Sequence, residues 1–186
     1  MLIVLFITII LILSFGLFDY FSSRFAFKLY SKKLKNYYEY EIFELNPYQR
    51  DSVEGGKYNL WHLIGLLFIC ALLSISYYIG FNEFSFFQGF SVSFFGYIVS
   101  RNVRTLIIYH KFNNNPKALI GKVKETYFYT LDRLLGEVIG VTIFLLIIFV
   151  FIPSFFTFGL VLGPLLMLFQ GKKWKKKYKL NGKIDY

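Results

Sequence analysis

Residues 1–18 read MLIVLFITIILILSFGLF and contain no charged side chain. With the next three residues they reach the ~20 residues that an α-helix needs to cross a ~30 Å hydrocarbon core. A cleaved signal peptide would have basic residues before the apolar run and a small-residue cleavage site after it. Here the basic residues follow the run instead, from Arg24 onward. We therefore predict a membrane anchor at residues 1–21 whose N-terminus lies outside the cell.

The whole chain is apolar for its length. Its 186 residues predict one domain, and 56% hydrophobic residues with a mean hydropathy of +0.51 predict a membrane protein. Twenty-one Lys and Arg against eleven Asp and Glu give a net charge of +10. In a membrane protein such an excess marks cytoplasmic loops and favours anionic lipid, so we expect no nucleic-acid partner. The single cysteine, Cys70, excludes an intramolecular disulfide.

Two more spans follow from apolar stretches of suitable length. Residues 58–80 have aromatic residues near both ends, as the aromatic belts of a bilayer would place them. The short loop 81–84 contains Glu83 but no Lys or Arg, so we expect it to be external. Residues 86–109 then return the chain to the cytoplasmic side.

The last apolar run, 138–169, is too long for one crossing, because a straight helix of that length would measure ~48 Å. Pro153 removes a backbone donor and predicts a break. The break leaves two segments, 134–152 and 154–169, of which the second is short or re-entrant. A single crossing is the alternative, but it would leave the lysine-rich tail outside. The positive-inside bias therefore favours a hairpin.

The resulting fold class is all-α: a single membrane domain, residues 1–186, built as a bundle of four to five transmembrane helices. We expect a multi-pass protein of the cytoplasmic membrane, with its N-terminus outside and its C-terminus inside. Its cytoplasmic segments are residues 22–57, 110–133 and 170–186, and the basic clusters fall in them or at their edges.

Helical spacing of charged and apolar residues predicts amphipathic helices in the first two cytoplasmic segments. In the second, a stripe from Ile120 through Val123 to Leu134 indicates one helix. Such helices either lie among lipid headgroups, where they bind anionic lipid, or pack on the spans as solvated helices, and both interpretations stay open. The basic residues that we expect to face lipid are Arg24, Lys28, Lys32, Lys35, Lys172, Lys173 and Lys175.

Polar side chains gather near the predicted cytoplasmic ends of the spans. Pro47 biases Asn46 toward an extended backbone, and Asn often bonds nearby backbone in turns, so the stretch 43–51 predicts a turn into the membrane. The members of this polar cluster are Asp19, Glu44, Asn46, His62, Arg101, Asn102 and Arg104.

Under this structural interpretation the charged side chains form ion pairs. We predict that Glu44 pairs with Arg101 or Arg104, and that Arg133 pairs with Glu137 one helical turn further on. This interpretation needs no cofactor.

A second interpretation is catalytic. Asp19, Glu44 and His62, with His110 in reserve, offer the carboxylate and imidazole ligands that suit zinc, manganese or iron. A metal at the membrane surface would activate water against a lipid or peptide bond. The spacing matches no established metal motif, no serine lies in a G-x-S-x-G context, and no nucleotide-binding glycine pattern occurs. No catalytic residue is therefore assigned.

The stretches DYFSS (19–23) and ELNP (44–47) carry a family resemblance. They resemble the D-x-x-S/T-S/T and E-x-N-P signatures of small polytopic membrane proteins of unknown function from bacteria and archaea. The similarity continues through SRNVRTLIIYHKF (100–112). It implies a shared fold and a shared site at Asp19, Glu44 and Asn46, and it implies no activity.

Small residues four apart mark three apolar segments and predict close helix packing there. Such faces hold a bundle together or receive a membrane partner. The pairs are Gly89 and Ser93, Gly96 and Ser100, Gly136 and Gly140, and Gly159 and Gly163.

These observations together favour a non-enzymatic function. We expect a scaffold or partner-binding subunit whose cytoplasmic face binds anionic lipid, with a second copy or another membrane protein as its partner. The first alternative is a membrane-embedded enzyme with a divalent metal, acting on a lipid or peptide at the cytoplasmic interface. The second is a small transporter or channel subunit, which is weaker because the spans offer no ionisable group near the bilayer midplane.

Overall fold

Helices make up most of the chain. The computed structural model describes residues 2–40, 43–44, 46, 48–56, 59–115 and 122–180. Its helices are α1 (Leu2–Lys32), α2 (Arg50–Val53), α3 (Leu60–Ile79), α4 (Phe81–Asn114), α5 (Tyr127–Phe151) and α6 (Phe155–Leu180), and its strands are β1 (Tyr38–Tyr40) and β2 (Val123–Glu125). Among them, α1, α3, α5 and α6 are long and apolar enough to cross a membrane. The predicted helical membrane fold is confirmed.

The central element is α4, which packs against α1 and α3 on one side and against α6 on the other. Phe84 and Phe95 of α4 are buried with side chains of α1 and α3 in one apolar cluster. Phe94, Tyr97 and Ile98 border a second cluster, built mainly from α5 and α6. α4 therefore joins the two halves of the bundle.

Two side-chain contacts show that α4 runs parallel to α1. Gln88 donates to the hydroxyl of Thr8 (2.9 Å), and Asn102 donates to the carboxylate of Asp19 (2.8 Å) further along both helices. α3 runs the opposite way, because its first turn lies beside the middle of α1 and its end packs near the start of α4. The apolar part of α4 therefore lies at the same depth as α1.

α5 and α6 form an antiparallel pair. Asp132, near the start of α5, binds Lys175, near the end of α6 (2.8 Å), while the rings of Phe149 and Phe158 meet at the other end, with 5.7 Å between their centroids. α6 is parallel to α4. The basic ends of α1, α4 and α6 consequently lie together at one end of the bundle, beside the starts of α3 and α5.

α4 is less apolar than its neighbours and is not among the four helices that meet the length and apolarity of a span. Ser85 and Ser91 are buried between helices, and Gln88 is bonded to α1. A helix shielded from lipid tolerates such residues, because the protein itself satisfies them. α4 nevertheless runs alongside α1 through the predicted span 86–109, and its crossing of a membrane stays a prediction.

Helix ends differ from the predicted bounds at several places. α3 agrees closely with the predicted span 58–80. The predicted external loop 81–84 is wrong, because those residues form the first turn of α4, where Phe84 packs edge-on against Tyr77 at 5.7 Å. α1 continues past residue 21 as the same helix, so the first cytoplasmic segment begins as an extension of the span.

The chain reverses between α5 and α6, as the proline predicts. The Thr157 N–H donates to Oγ of Ser154 (3.1 Å), and the Ser154 N–H donates to Oγ1 of Thr157 (3.0 Å), so the two residues cap α6 reciprocally. The hairpin is confirmed. The helix extends beyond the predicted segment 154–169: α6 is continuous, and it has the length and apolarity of a span from Phe155 to Lys176.

β1 and β2, far apart in sequence, pair as a parallel two-stranded sheet. An exposed ion pair between Lys122 and Glu39 (3.2 Å) flanks the sheet. The helix predicted from Ile120 to Leu134 is wrong over 123–125, where pairing with β1 satisfies the backbone, and its first residue lies outside the described residues. The sheet links the segment after α1 to the segment before α5.

Glycines bring α4 and α6 into backbone contact. A Cβ at Gly89 would overlap the carbonyl oxygen of Phe156, and a Cβ at Gly159 would overlap the carbonyl oxygen of Phe86. Gly163 lies against the same face of α4 one turn further on. The predicted close packing is confirmed for these residues.

The other small-residue faces are open. A Cβ at Gly96, Gly136 or Gly140 would meet no heavy atom within 4 Å in the described parts of the chain. The prediction of close packing is therefore wrong for these three glycines within a single chain.

We predict that Gly159→Leu destabilises the bundle and that Gly140→Leu does not. The first substitution forces side-chain atoms into the backbone of α4, at a cost of about 1–3 kcal/mol or more, whereas the second adds the same atoms to an open face. Thermal unfolding of the purified protein in detergent measures both. Equal melting temperatures for the two variants would contradict the packing role of Gly159.

Candidate functional site

The predicted polar cluster begins with a buried contact at the basic end of the bundle. The Asn102 amide donates to Oδ1 of Asp19 (2.8 Å) and to Oγ of Ser22 (2.9 Å). Asp19 and Ser22 are both buried on α1. The amide therefore satisfies a carboxyl group that would be costly to bury alone, and it links α4 to α1.

Glu44 organises the segment that leads into α3. Its Oε1 accepts the backbone N–H of Asn46 (2.8 Å), and its own N–H donates to Oε1 of Glu54 (2.8 Å). Oδ1 of Asn46 accepts the N–H of Tyr48 (3.0 Å), a turn that asparagine commonly makes. The predicted turn is present, braced by side chains, although Pro47 lies outside the described residues.

His62 is held through both ring nitrogens. Its Nε2 lies 2.9 Å from the carbonyl oxygen of Gly16, which only accepts, so Nε2 carries the proton. Its Nδ1 lies 3.0 Å from Nε2 of Gln49, which donates to it in the neutral tautomer. A side chain at Gly16 would overlap Leu66, so this glycine is what lets α3 approach α1 closely enough for the histidine contact.

The predicted ion pairs form with other partners. Arg104 of α4 binds Glu137 of α5 (2.8 Å), and Arg133 binds Glu125 (3.2 Å). Pairing of Arg133 with Glu137 within α5 is therefore wrong, because Glu137 is engaged by the neighbouring helix. The Arg104 contact instead connects α4 to α5.

The guanidinium group of Arg101 makes no hydrogen bond or ion pair with any residue in the described parts of the chain, although the Arg101 carbonyl oxygen accepts a hydrogen bond from Thr105 (3.0 Å). The predicted direct pairing of Glu44 with Arg101 or Arg104 is wrong, because the Glu44 carboxylate binds the turn backbone. The charge of Arg101 nevertheless acts on both Asp19 and Glu44. One arginine and two carboxyl groups thus share a small region without ion-pair contact.

A cavity of about 500 Å³ opens beside these groups. The Arg104–Glu137 pair and the exposed Trp61 also border it, so the cavity lies between the two halves of the bundle. Its polar wall includes Asp19, Glu44, Gln49, His62, Arg101 and Asn102, and its apolar wall includes Leu66, Ile69, Phe94, Phe95, Ile98 and Leu134. The arrangement suits a ligand with one polar and one apolar end.

Glu44 lies outside the membrane-spanning helices, yet its carboxyl group is strongly affected by the site. The surrounding protein removes water from the carboxyl group and raises its pKa to about 7, while the Asn46 N–H and the charge of Arg101 oppose the shift. Nearby Asp19 adds to the increase. Glu44 therefore gains and loses its proton near neutral pH.

The catalytic interpretation requires ligands that meet at one point. Among the described residues, no group of three or more His, Cys, Asp or Glu side chains is placed to hold a metal ion. His62 uses both nitrogens in hydrogen bonds, and His110 lies on an exposed surface, bonded to Asn114 (3.0 Å). The proposed ligands Asp19, Glu44, His62 and His110 therefore do not form a metal centre in this structure.

The basic residues predicted to face lipid fall into two groups. Arg24 donates to the carbonyl oxygen of Gly56 (2.9 Å), and Lys175 binds Asp132 (2.8 Å), so both have partners within the protein. The remaining lysines are exposed, and their contact with lipid stays a prediction. They are Lys28, Lys32, Lys35, Lys172 and Lys173.

Sequence reasoning missed Gln49, Glu54 and the Gly16 carbonyl. Gln49 lies within the polar stretch 43–51 but contacts a histidine on another helix, which spacing alone does not indicate. The Gly16 acceptor is a backbone oxygen, and no side-chain pattern marks it. Gly16 itself, a glycine within an apolar helix, was the sequence signal that another helix approaches α1 closely there.

No protein-family model, curated protein or solved structure matches this chain. The resemblance to membrane proteins with D-x-x-S/T-S/T and E-x-N-P signatures therefore stays a prediction.

We predict that the free energy of unfolding falls as the pH rises, because Glu44 loses its proton. The folded protein holds this proton more tightly than the unfolded chain, so the stabilisation is present below pH 4.5 and is lost as the pH rises through about 7. The free energy of unfolding should fall by up to about 3 kcal/mol over that range.

Unfolding of the purified protein in detergent at a series of pH values measures this change. Glu44→Gln keeps the acceptor for Asn46 but cannot titrate, so it should remove this part of the pH dependence. Glu83→Gln, an exposed glutamate at the other end of the bundle, should leave it in place. Superimposable pH curves for the wild type and Glu44→Gln would contradict the role of Glu44.

Proposed function

We propose that this chain is a non-enzymatic, multi-pass protein of the cytoplasmic membrane whose basic end faces the cytoplasm and binds anionic lipid. Its N-terminus lies outside and its C-terminus inside. The observation that carries the proposal is the parallel arrangement of α1, α4 and α6, which gathers their basic ends on one side. The four helices with the length and apolarity of spans support the membrane location.

The charge distribution supports the orientation. Exposed lysines such as Lys28, Lys32, Lys172 and Lys173 lie at the basic end, whereas the described residues at the opposite end include Glu83 and no Lys or Arg. The inner leaflet is negatively charged, and each Lys or Arg near it contributes about 1 kcal/mol of attraction.

The role that fits these features is that of a scaffold or partner-binding subunit. Most polar side chains of the cluster are occupied with one another or with backbone, as in a structural network. The open face of α5 at Gly136 and Gly140 is available to a second copy or another membrane protein. Binding of a partner at this face of α5 is part of the same proposal.

The enzymatic alternative has less support. It requires Asp19, Glu44 and His62 to share a metal, but the described residues hold no such group. Elemental analysis showing one zinc, manganese or iron per purified chain would overturn the non-enzymatic proposal. The transport alternative also lacks support, because Gln88, the amide side chain in the apolar first half of α4, is bonded to Thr8.

The orientation predicts the location of two reporters. A reporter fused after Tyr186 should be active in the cytoplasm, and one inserted at Glu83 should be active outside, because the basic end stays with the negative leaflet. Paired reporters that are active on opposite sides of the membrane measure this directly. A tail reporter that is active only outside would contradict the orientation.

The basic end predicts selective binding of anionic lipid. Replacing Lys28, Lys32, Lys172 and Lys173 together by Gln should lower the affinity for phosphatidylglycerol by tenfold or more, at about 1 kcal/mol per lysine. The matched variant with Arg at the same positions keeps the charge and should bind as the wild type does. Native mass spectrometry with added lipid measures the occupancy and also reports any homo-oligomer.

Binding that depends on surface charge should also weaken at high salt. Phosphatidylglycerol occupancy that is the same in the Gln and Arg variants, at low and high salt, would contradict the proposal.

A further inference from the structure

The cavity beside Arg101 differs in charge from the lysine-rich surface. Six charged side chains line it, and their signs balance: Asp19, Glu44 and Glu137 against Arg101, Arg104 and Arg133. Two of the arginines are already paired with carboxylates, Arg104 with Glu137 and Arg133 with Glu125. The groups left to interact with a ligand are therefore one arginine and two carboxyl groups.

Arg101 is the group that would bind a phosphate. Its guanidinium group has no hydrogen-bond or ion-pair partner among the described residues, and the residue is partly buried at the cavity wall. A guanidinium group is matched in geometry to phosphate oxygens, which accept two parallel hydrogen bonds from it. Because no protein group occupies the guanidinium, its donors are available to a phosphate in the cavity.

The two carboxyl groups favour a positive charge on the same ligand. Oε1 of Glu44 is used by the Asn46 N–H, whereas Oε2 accepts no hydrogen bond from the described residues. Asp19 lies close enough for its charge to act on Glu44, and the charge of Arg101 acts on both. An anionic headgroup would meet repulsion from these carboxylates, while an ammonium group would offer them three donors.

The apolar wall extends from this polar region toward the middle of the membrane. Phe94 and Ile98 precede Arg101 on α4 by seven and three residues, which places them about 10 Å and 5 Å deeper along the helix. Leu66 and Ile69 of α3 line the cavity on the facing side. A volume of about 500 Å³ holds a headgroup and the upper part of an acyl chain, and the rest of the chain would lie in the bilayer.

We propose that the cavity binds one zwitterionic aminophospholipid of the phosphatidylethanolamine class, with its phosphate at Arg101, its ammonium at Asp19 and Glu44, and its acyl chain along the apolar wall. This inference rests on the proposed function only in placing the basic helix ends at a membrane surface. It adds a second lipid site. This site prefers a zwitterionic headgroup, whereas the exposed lysines prefer an anionic one.

Gly65 offers a way to block the cavity without disturbing the fold. It lines the cavity, and a Cβ there would meet no heavy atom within 4 Å. Gly65→Leu therefore fills space that the lipid chain would occupy, and leucine is a better helix former than glycine. Gly96→Leu, the same change at an open position of α4 that does not line the cavity, is the matched control.

Native mass spectrometry of the full chain in detergent, titrated with synthetic lipids that share acyl chains, tests the inference. The wild type should hold one phosphatidylethanolamine per chain at least about tenfold more tightly than phosphatidylcholine, whose trimethylated amine has no N–H donors. Gly65→Leu and Arg101→Gln should each lower phosphatidylethanolamine affinity at least about tenfold. Gly96→Leu should bind as the wild type does.

Undiminished phosphatidylethanolamine binding in Gly65→Leu would overturn the inference. A second result would also overturn it: the wild-type site that Gly65→Leu blocks prefers phosphatidylglycerol to phosphatidylethanolamine. That result would assign the cavity to anionic lipid. The two lipid proposals fail separately: the lysine-to-glutamine variant should lose phosphatidylglycerol and keep phosphatidylethanolamine. If it keeps both while Gly65→Leu loses phosphatidylethanolamine, the surface proposal fails and the cavity inference stands.

Discussion

Backbone contact between α4 and α6 is the packing interaction on which the rest of the bundle depends. In a membrane, apolar side chains gain little by leaving lipid for protein, so helices associate through close packing and internal hydrogen bonds. Gly89 and Gly159 remove the side chains that would keep the two backbones apart. Because α4 also packs on α1 and α3, this contact positions both halves of the bundle and the cavity between them.

The second requirement is that polar groups carried into the bundle are satisfied there. Asn102 meets Asp19 and Ser22, and His62 meets the Gly16 carbonyl and Gln49. Each contact joins different segments of the chain, so the network that removes the cost of burial also sets the positions of α1, α3 and α4. Arg101 stands outside this network, and for that reason it is the group that a ligand would engage.

Lipid would meet two different surfaces on this protein. The exposed lysines form a water-facing layer in which charge is screened and binding is weakly selective. The charges that line the cavity balance, so a ligand there has to match the positions of an arginine and two carboxyl groups. One of these, Glu44, has a pKa raised by its burial in the surrounding protein.

Local signals were enough for several features of the fold. A run of uncharged residues predicts a span wherever it lies, so α3 agrees closely with 58–80, and Pro153 marks the reversal because a missing backbone donor acts locally. The same local signals fail at helix ends. α1 continues past residue 21, where Asn113 of α4 donates to the carbonyl oxygen of Leu29. α4 starts at Phe81, where Phe84 of the first turn packs on Tyr77 of α3.

The sequence by itself determined that this protein lies in a membrane as a helical bundle and that its polar residues collect near one end, because apolarity and charge are properties of each segment alone. Only the tertiary structure decided which polar groups meet. The partners of Glu137, His62 and Asp19 lie on other elements, where helix packing brings them within hydrogen-bond distance. The parallel β1–β2 pair and the free position of Arg101 follow from the same packing, which no local spacing encodes.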